Sequence, residues 1–249
     1  MPMPMPDSEG AGGADIQAVS RARRILSLFN VERSELVTAE VAEALRLNRT
    51  TTHRYLTSMA AVGLLAPGSR HSSYVIGPLA TRLGAIATCS TPVLAIAPPY
   101  LQALSDELET TVTLSLWAST GAMVVHGAEP RTAGAILTVR LGTVLPMGAA
   151  QSQVFRAWLD ADRAASAEAE QVREAGYAIV RHPEGIQVIA APVFDAHGLC
   201  AAAGIVALSG TLTDAATPLR SRRLREMSDQ LSVELGANGG GQPPVRLTA

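Results

Sequence analysis

Positions 49 to 54 read Arg-Thr-Thr-Thr-His-Arg. The run holds no acid and offers guanidinium, hydroxyl and imidazole groups, the types that hydrogen-bond base edges in the major groove of DNA. In a helix, Thr52, Leu56, Met59 and Ala60 fall on one side, and Arg49, Thr50, His53, Arg54 and Thr57 on the other. Arg49, Thr50, Thr51 and His53, at the N-terminal end, are the expected base-reading residues. Arg54, off the packing face and further along, is better placed for phosphate, as are Arg21, Arg23 and Arg70. Taken alone, a Thr-rich, Arg-bearing helix is usually a solvated face, so the reading depends on the elements around it.

Those elements form an ordered set. Val19, Ala22, Leu26 and Phe29 recur at helical spacing and predict a first helix from about Ile16 to Val31. Thr38 reads as the N-cap of a short second helix, TAEVAEAL, and Asn48 as the N-cap of the polar third helix. After Gly63, LLAPGSRHSSYVI predicts two strands around a Pro-Gly turn, with Arg70 and His71 at the tip. Three helices and a basic-tipped hairpin are the parts of a winged helix-turn-helix, in which the third helix enters the major groove.

Downstream, LATRLGAIATCSTPVLAIA is apolar and helix-compatible, which predicts a linker helix over 79–97. From Pro98 an amphipathic helix continues through YLQALSDEL. Strands follow at TVTLSLWA, Met123 to Ala128 and Ala135 to Val139, and helices from about Ser152 to Leu159 and from about Ala164 to Ala175. Strands at Tyr177 to Val180, Gln187 to Phe194 and Leu199 to Leu208 precede a last helix from Thr217 to Leu235. One sheet flanked by helices makes an α+β domain. Covered by the loop around Leu145 to Gln153, it could enclose a small-molecule pocket, with Met147, Gln151, Ser152, Val188 and Ser209 as candidate lining residues. Each also has a purely structural reading; Ser152, for one, could cap a helix.

The chain is 249 residues, 47% hydrophobic and 17% charged, which excludes disordered, collagen-like and disulfide-stapled classes. Two domains are expected at this length. The formal charge of -2 is unevenly spread. Residues 14–85 hold nine Arg against five acids, whereas residues 86–249 hold eleven Arg against fifteen, so a polyanion would meet the front half. The boundaries follow: a tail over 1–13, a DNA-binding domain over 14–78, the linker over 79–97, a regulatory domain over 98–236 and a second tail over 237–249. Both tails are small-residue and Pro/Gly-rich and are expected to be disordered.

Other chemistries find little support. His53, His71, His126, His182 and His197 are scattered without metal-ligand spacing, and no Walker loop, G-x-S-x-G elbow or G-x-G-x-x-G fingerprint occurs. Cys89 and Cys200 are too few for a disulfide framework, and Cys200 sits in an apolar run that suits an inert buried thiol. No signal-peptide pattern opens the chain, and the apolar run from Ile186 to Leu208 is broken by Asp195, His197 and Gly198. A cytoplasmic protein that is not an enzyme, with no cofactor and no metal, is expected.

AVSRARRILSLF, LVTAEVAEALRLNRTTTHRYLTSMAAVGLL, YVIGPLATRLG, PPYLQALSDELETTVTLSLW, GTVLPMG and GYAIVRHPEGIQVIAAPVFDAHG, in this order, resemble the IclR-type bacterial transcription regulators. The resemblance covers nearly everything from about 16 to 236. It implies a winged helix, a linker helix and a GAF-like effector-binding α+β domain, assembled as dimers or dimers of dimers on partly palindromic operator DNA. The sequence departs from the family pattern after the Leu-Pro pair. Where A-T-G-K is common, this chain has AAQSQV, with Gln153 near the Gly place and Val154 near the Lys place; Val188 stands at the frequent Cys. Those changes weigh against a standard carboxylate effector. The rival readings are an effector-free architectural or protein-interaction factor whose C-terminal domain only oligomerises and, more weakly, a metabolic enzyme fused to a DNA-binding domain.

Overall fold

The computed structural model describes residues 16–30, 33–118, 120–132, 137–159, 166–208 and 217–237. The chain divides into two compact units, Met1–Leu83 and Gly84–Ala249.

In the first unit, α1 (Gln17–Leu26), α2 (Thr38–Leu45) and α3 (Arg49–Ala61) bury Ile25, Val41, Leu45, Leu56 and Met59 in one small core. Against them lies a three-stranded antiparallel sheet of order β1-β3-β2, made of β1 (Glu35–Val37), β2 (Leu65–Pro67) and β3 (Ser73–Ile76). The hairpin β2–β3 is the expected wing. The strand β1 escapes the sequence, since three residues are too short to display alternation; it exists because Leu36 is fully buried beneath the wing.

Asn48 caps α3 as expected, its Oδ1 accepting from the Thr51 amide at 2.7 Å. Thr38 does not cap α2. It is the first helical residue, and its hydroxyl donates to the Ser72 carbonyl at 2.9 Å, tying α2 to the wing. Helix α1 ends at Leu26, a turn earlier than its apolar spacing suggests, where the Ser27 hydroxyl donates back to the Arg23 carbonyl.

The predicted single linker is two helices, α4 (Pro78–Cys89) and α5 (Pro92–Leu108), bent by 75° at the break between them. The unit boundary falls within α4. Pro92 starts α5 where a missing amide costs nothing, and the helix then runs through Pro98 and Pro99. Burial of Val93, Ala97, Leu101 and Leu104 holds those two prolines within a continuous helix. Among the described residues no single helix is long and apolar enough to cross a membrane.

The second unit is built on a five-stranded antiparallel sheet of order β5-β4-β8-β7-β6. Its strands are β4 (Thr111–Trp117), β5 (Ala122–Ala128), β6 (Ala178–Arg181), β7 (Ile186–Asp195) and β8 (Gly198–Leu208). Alternation along β4 sends Val112 and Leu114 to the face covered by α5 and α8 (Thr217–Glu234), where Leu101, Ile189, Ile205, Leu224 and Leu231 complete the main core. The opposite face meets α6 (Ala150–Leu159) through Val154, Phe155, Ala178, Ala190 and Ala202, and α7 (Ala167–Ala175) packs on α6. The apolar run from Ile186 to Leu208 is thus a β-hairpin, closed by Asp195 Oδ1 accepting from the His197 and Gly198 amides. Of the strand predicted at Ala135 to Val139, residues 133–136 lie outside the described residues and 137–139 are not in a strand. Both predicted tails lie almost wholly outside the described residues as well.

Candidate nucleic-acid interface and ligand face

Helix α3 is anchored from below and open above. Thr52, Leu56 and Met59 are buried, and the Thr52 hydroxyl is turned inward to the Asn48 carbonyl at 3.0 Å. Arg49, Thr50, His53 and Arg54 are all exposed; Thr51 is half-buried. The four residues expected to read bases therefore share the first turn and a half of a capped helix. Arg49 and Arg54 make no ion pair or side-chain hydrogen bond among the described residues, so both guanidinium groups are available to an anion.

The remaining expected phosphate contacts divide. Arg23 is exposed and unpaired among the described residues. Arg21 is engaged: it donates to the Tyr55 hydroxyl at 3.2 Å and its guanidinium lies 5.6 Å from that ring's centroid, locking α1 onto α3. Arg70 is engaged as well, 3.5 Å from the Glu35 carboxylate and 3.9 Å from Glu40, while its Nη2 donates to the Glu35 carbonyl. Glu40 also takes Arg33 at 3.0 Å. Sequence spacing could not show these partners, since Glu35 and Arg70 meet only when β1 joins the wing.

The wing turn closes around the Glu35 carboxylate. It accepts from the Ser73 hydroxyl, the Arg70 amide at 3.0 Å and the Ser69 hydroxyl at 3.0 Å. These donors, Ser73 foremost, hold the carboxyl down at about 2, against an ordinary 4.5. Gly68 allows the approach, because a Cβ there would sit 2.3 Å from Glu35 Oε1.

In the second unit the α6-facing side of the sheet gathers three of the expected ligand residues. Gln151 is buried and donates from Nε2 to Thr113 Oγ1 at 3.1 Å. Ser152 is buried inside α6 and is not its cap; its hydroxyl accepts from the Ala122 amide at 3.0 Å. Val188 packs half-buried against the α6 cluster. Met147 is half-buried in the preceding loop, and Ser209 lies outside the described residues. Two residues unsuspected from sequence belong to the same face: Gly204, where a Cβ would lie 2.5 Å from Gln151 Nε2, and Ser115, whose buried hydroxyl has no partner among the described residues. Period-two alternation from Thr113 could have signalled Ser115.

Burial, aided by Asp195, pushes the Cys200 thiol up to about 12, which suits an inert thiol. Among the described residues no group of three His, Cys, Asp or Glu side chains could hold a metal ion.

A capped polar helix above a buried brace, followed by a closed wing and joined to a separate α+β unit, defines a winged helix-turn-helix DNA-binding regulator. Residues 18–67 match the IclR helix-turn-helix domain and residues 164–233 match the bacterial transcriptional regulator IclR C-terminal domain. The HTH-type transcriptional regulator BhcR of Paracoccus denitrificans is 30% identical over 89% of this chain and 85% of its own. The chain belongs to the IclR family of transcription regulators. Among solved structures, an IclR transcriptional regulator from a Silicibacter species aligns with a TM-score of 0.72 at 23% identity, covering 93% of this chain and all of that one. An IclR homolog from Microbacterium hydrocarbonoxydans, complexed with 4-hydroxybenzoate, aligns at 0.69 and 17% identity over 88% and 98%. The curated relatives are named as transcriptional regulators, not enzymes.

Proposed function

We propose that this DNA-binding regulator is sequence-specific, with α3 placed in the major groove of a partly palindromic operator. Arg49, Thr50, Thr51 and His53 read base edges, while Arg23 and Arg54 hold phosphates. Arg21 joins them through the guanidinium N–H groups that Tyr55 leaves over, whereas Arg70 serves a phosphate by exchanging its carboxylate partners. The observation that supports this reading best is the first turn and a half of α3, where exposed donors without acids stand on a rigidly capped helix. The protein acts in the cytoplasm as a homodimer or dimer of dimers. A small-molecule effector on the α6-facing side of the sheet shifts the population of DNA-competent states, which requires different affinity for the two states. The complex of an IclR homolog of this fold with 4-hydroxybenzoate supports an effector here.

A second reading has one observation in its favour. Gln151 fills the space above Gly204 and spends its amide on Thr113, so the ligand face is already occupied by the protein's own side chain. On that reading the second unit only oligomerises. A metabolite screen by thermal shift separates the two, because a ligand at about 100 times its Kd stabilises by roughly 2.7 kcal/mol.

Substitution tests the DNA reading. Arg54→Ala is expected to weaken binding to all duplexes and to reduce the salt slope by about one phosphate's worth, whereas Thr50→Ala weakens mainly the cognate site. Equal losses on cognate and random DNA for Thr50→Ala would remove its base-reading role.

A further inference from the structure

The turn between α2 and α3 holds a residue in an uncommon backbone conformation. Arg46 has φ 53° and ψ 43°, in the left-handed region. Its amide donates to the Glu43 carbonyl at 3.2 Å and the Leu47 amide to the Ala42 carbonyl at 2.9 Å, which together make a Schellman closure with Arg46 at the position usually given to glycine. Turns of helix-turn-helix motifs often contain glycine for the same reason. Glu109 adopts a similar conformation after α5, so the chain tolerates a side chain at such caps, and strain alone points nowhere.

At Arg46 the strain coincides with three other facts. The residue is exposed. Its guanidinium has no ion pair or hydrogen-bond partner among the described residues, although Glu43 stands one turn back on α2. And it lies two residues before the Asn48 cap, at most about 7.6 Å of chain from the helix end that enters the groove. With Arg49 and Arg54 it extends the unpaired positive charge of α3 backwards onto the turn. Closure of the turn does not call for an arginine, since glycine would close it with less strain; a cation at the C-terminal end of α2 also suits the helix dipole.

We infer that Arg46 is a DNA-backbone contact: its guanidinium holds a phosphate flanking the groove occupied by α3, and the left-handed backbone is kept at a cost in stability for the sake of that contact. The inference rests on α3 being the DNA-reading helix. It adds a residue that the pattern of the polar helix does not reveal.

The test uses the full-length protein and a random-sequence duplex, with binding followed by fluorescence anisotropy between about 50 and 200 mM salt. Arg46→Gly is expected to raise the melting temperature by a few degrees and to weaken DNA binding, its log-log salt slope falling by about 0.9. Arg46→Asn, which tolerates the left-handed region without the charge, should lose the same slope; Arg46→Lys should keep it. Arg131→Gln, which removes one exposed charge from the other unit, controls for net charge. Wild-type slopes for both Arg46→Gly and Arg46→Asn would overturn the role of Arg46 while leaving α3 in place. No DNA binding by the unsubstituted protein would overturn both.

Discussion

Glu35 shows how one carboxylate can set the shape of a recognition element. Three donors from the wing turn converge on it, and its carboxyl titrates near 2 instead of 4.5. A folded-state value below the unfolded one means that this group stabilises the fold fully above the ordinary value and loses its contribution as pH falls from about 5 toward 2. Glu35→Gln is accordingly expected to flatten the acid limb of the stability profile in a pH series of thermal melts; an unchanged limb would show that Glu35 contributes little to it. The same pairing bears on Arg70, which sequence places at a basic tip free to hold phosphate. Its carboxylate partner lies thirty-five positions away and becomes a neighbour only through β1, so no local pattern could show that this charge is already paired. Asn48 and the exposed face of α3, by contrast, were legible because a cap and a helical period are local facts.

At the scale of elements, the α6-facing side of the sheet is packed tightly around one glycine. Gln151 on α6, Thr113 on β4 and Gly204 on β8 meet so closely that Gly204→Ala must displace the Gln151 amide, costing about 1–3 kcal/mol in denaturant unfolding. Paired with Gln151→Ala, the same substitution should cost less, with only the approach to Thr113 Oγ1 at 3.0 Å remaining, a coupling that a double-mutant cycle reads directly. Additive losses would mean that Gln151 does not fill that space. The sequence supported the order of helices and strands through alternation in β4, apolar runs parted by a turn in β7 and β8, and helical spacing in α8. It misplaced the start of α5, because prolines at 98 and 99 read as a boundary although buried Ala97 and Leu101 continue the helix across them. Ser152 read as a cap for a similar reason: a short polar residue looks the same whether it ends a helix or, as here, binds a neighbouring strand from within one.

For the whole molecule, the two units are joined through α4, none of whose residues is buried. Leu79, Leu83 and Ile86 recur on α4 at the four- then three-residue spacing of a two-helix seam, and Leu83 and Ile86 are 51% and 54% exposed. If this stripe joins two copies of the chain, Leu83→Glu together with Ile86→Glu should shift sedimentation toward the monomer and weaken operator binding while the circular dichroism of the protein persists. An unchanged sedimentation coefficient would show that this stripe joins no second copy. The central claim, that an IclR-family chain with this α3 is a sequence-specific regulator, is tested most directly by selecting duplexes from random DNA with the purified full-length protein at physiological salt. Anisotropy titration then compares the selected sequence with unselected duplex. The account predicts a partly palindromic consensus bound at least ~10³-fold more tightly than random DNA. Enrichment of no sequence, with only weak and steeply salt-dependent binding, would contradict it.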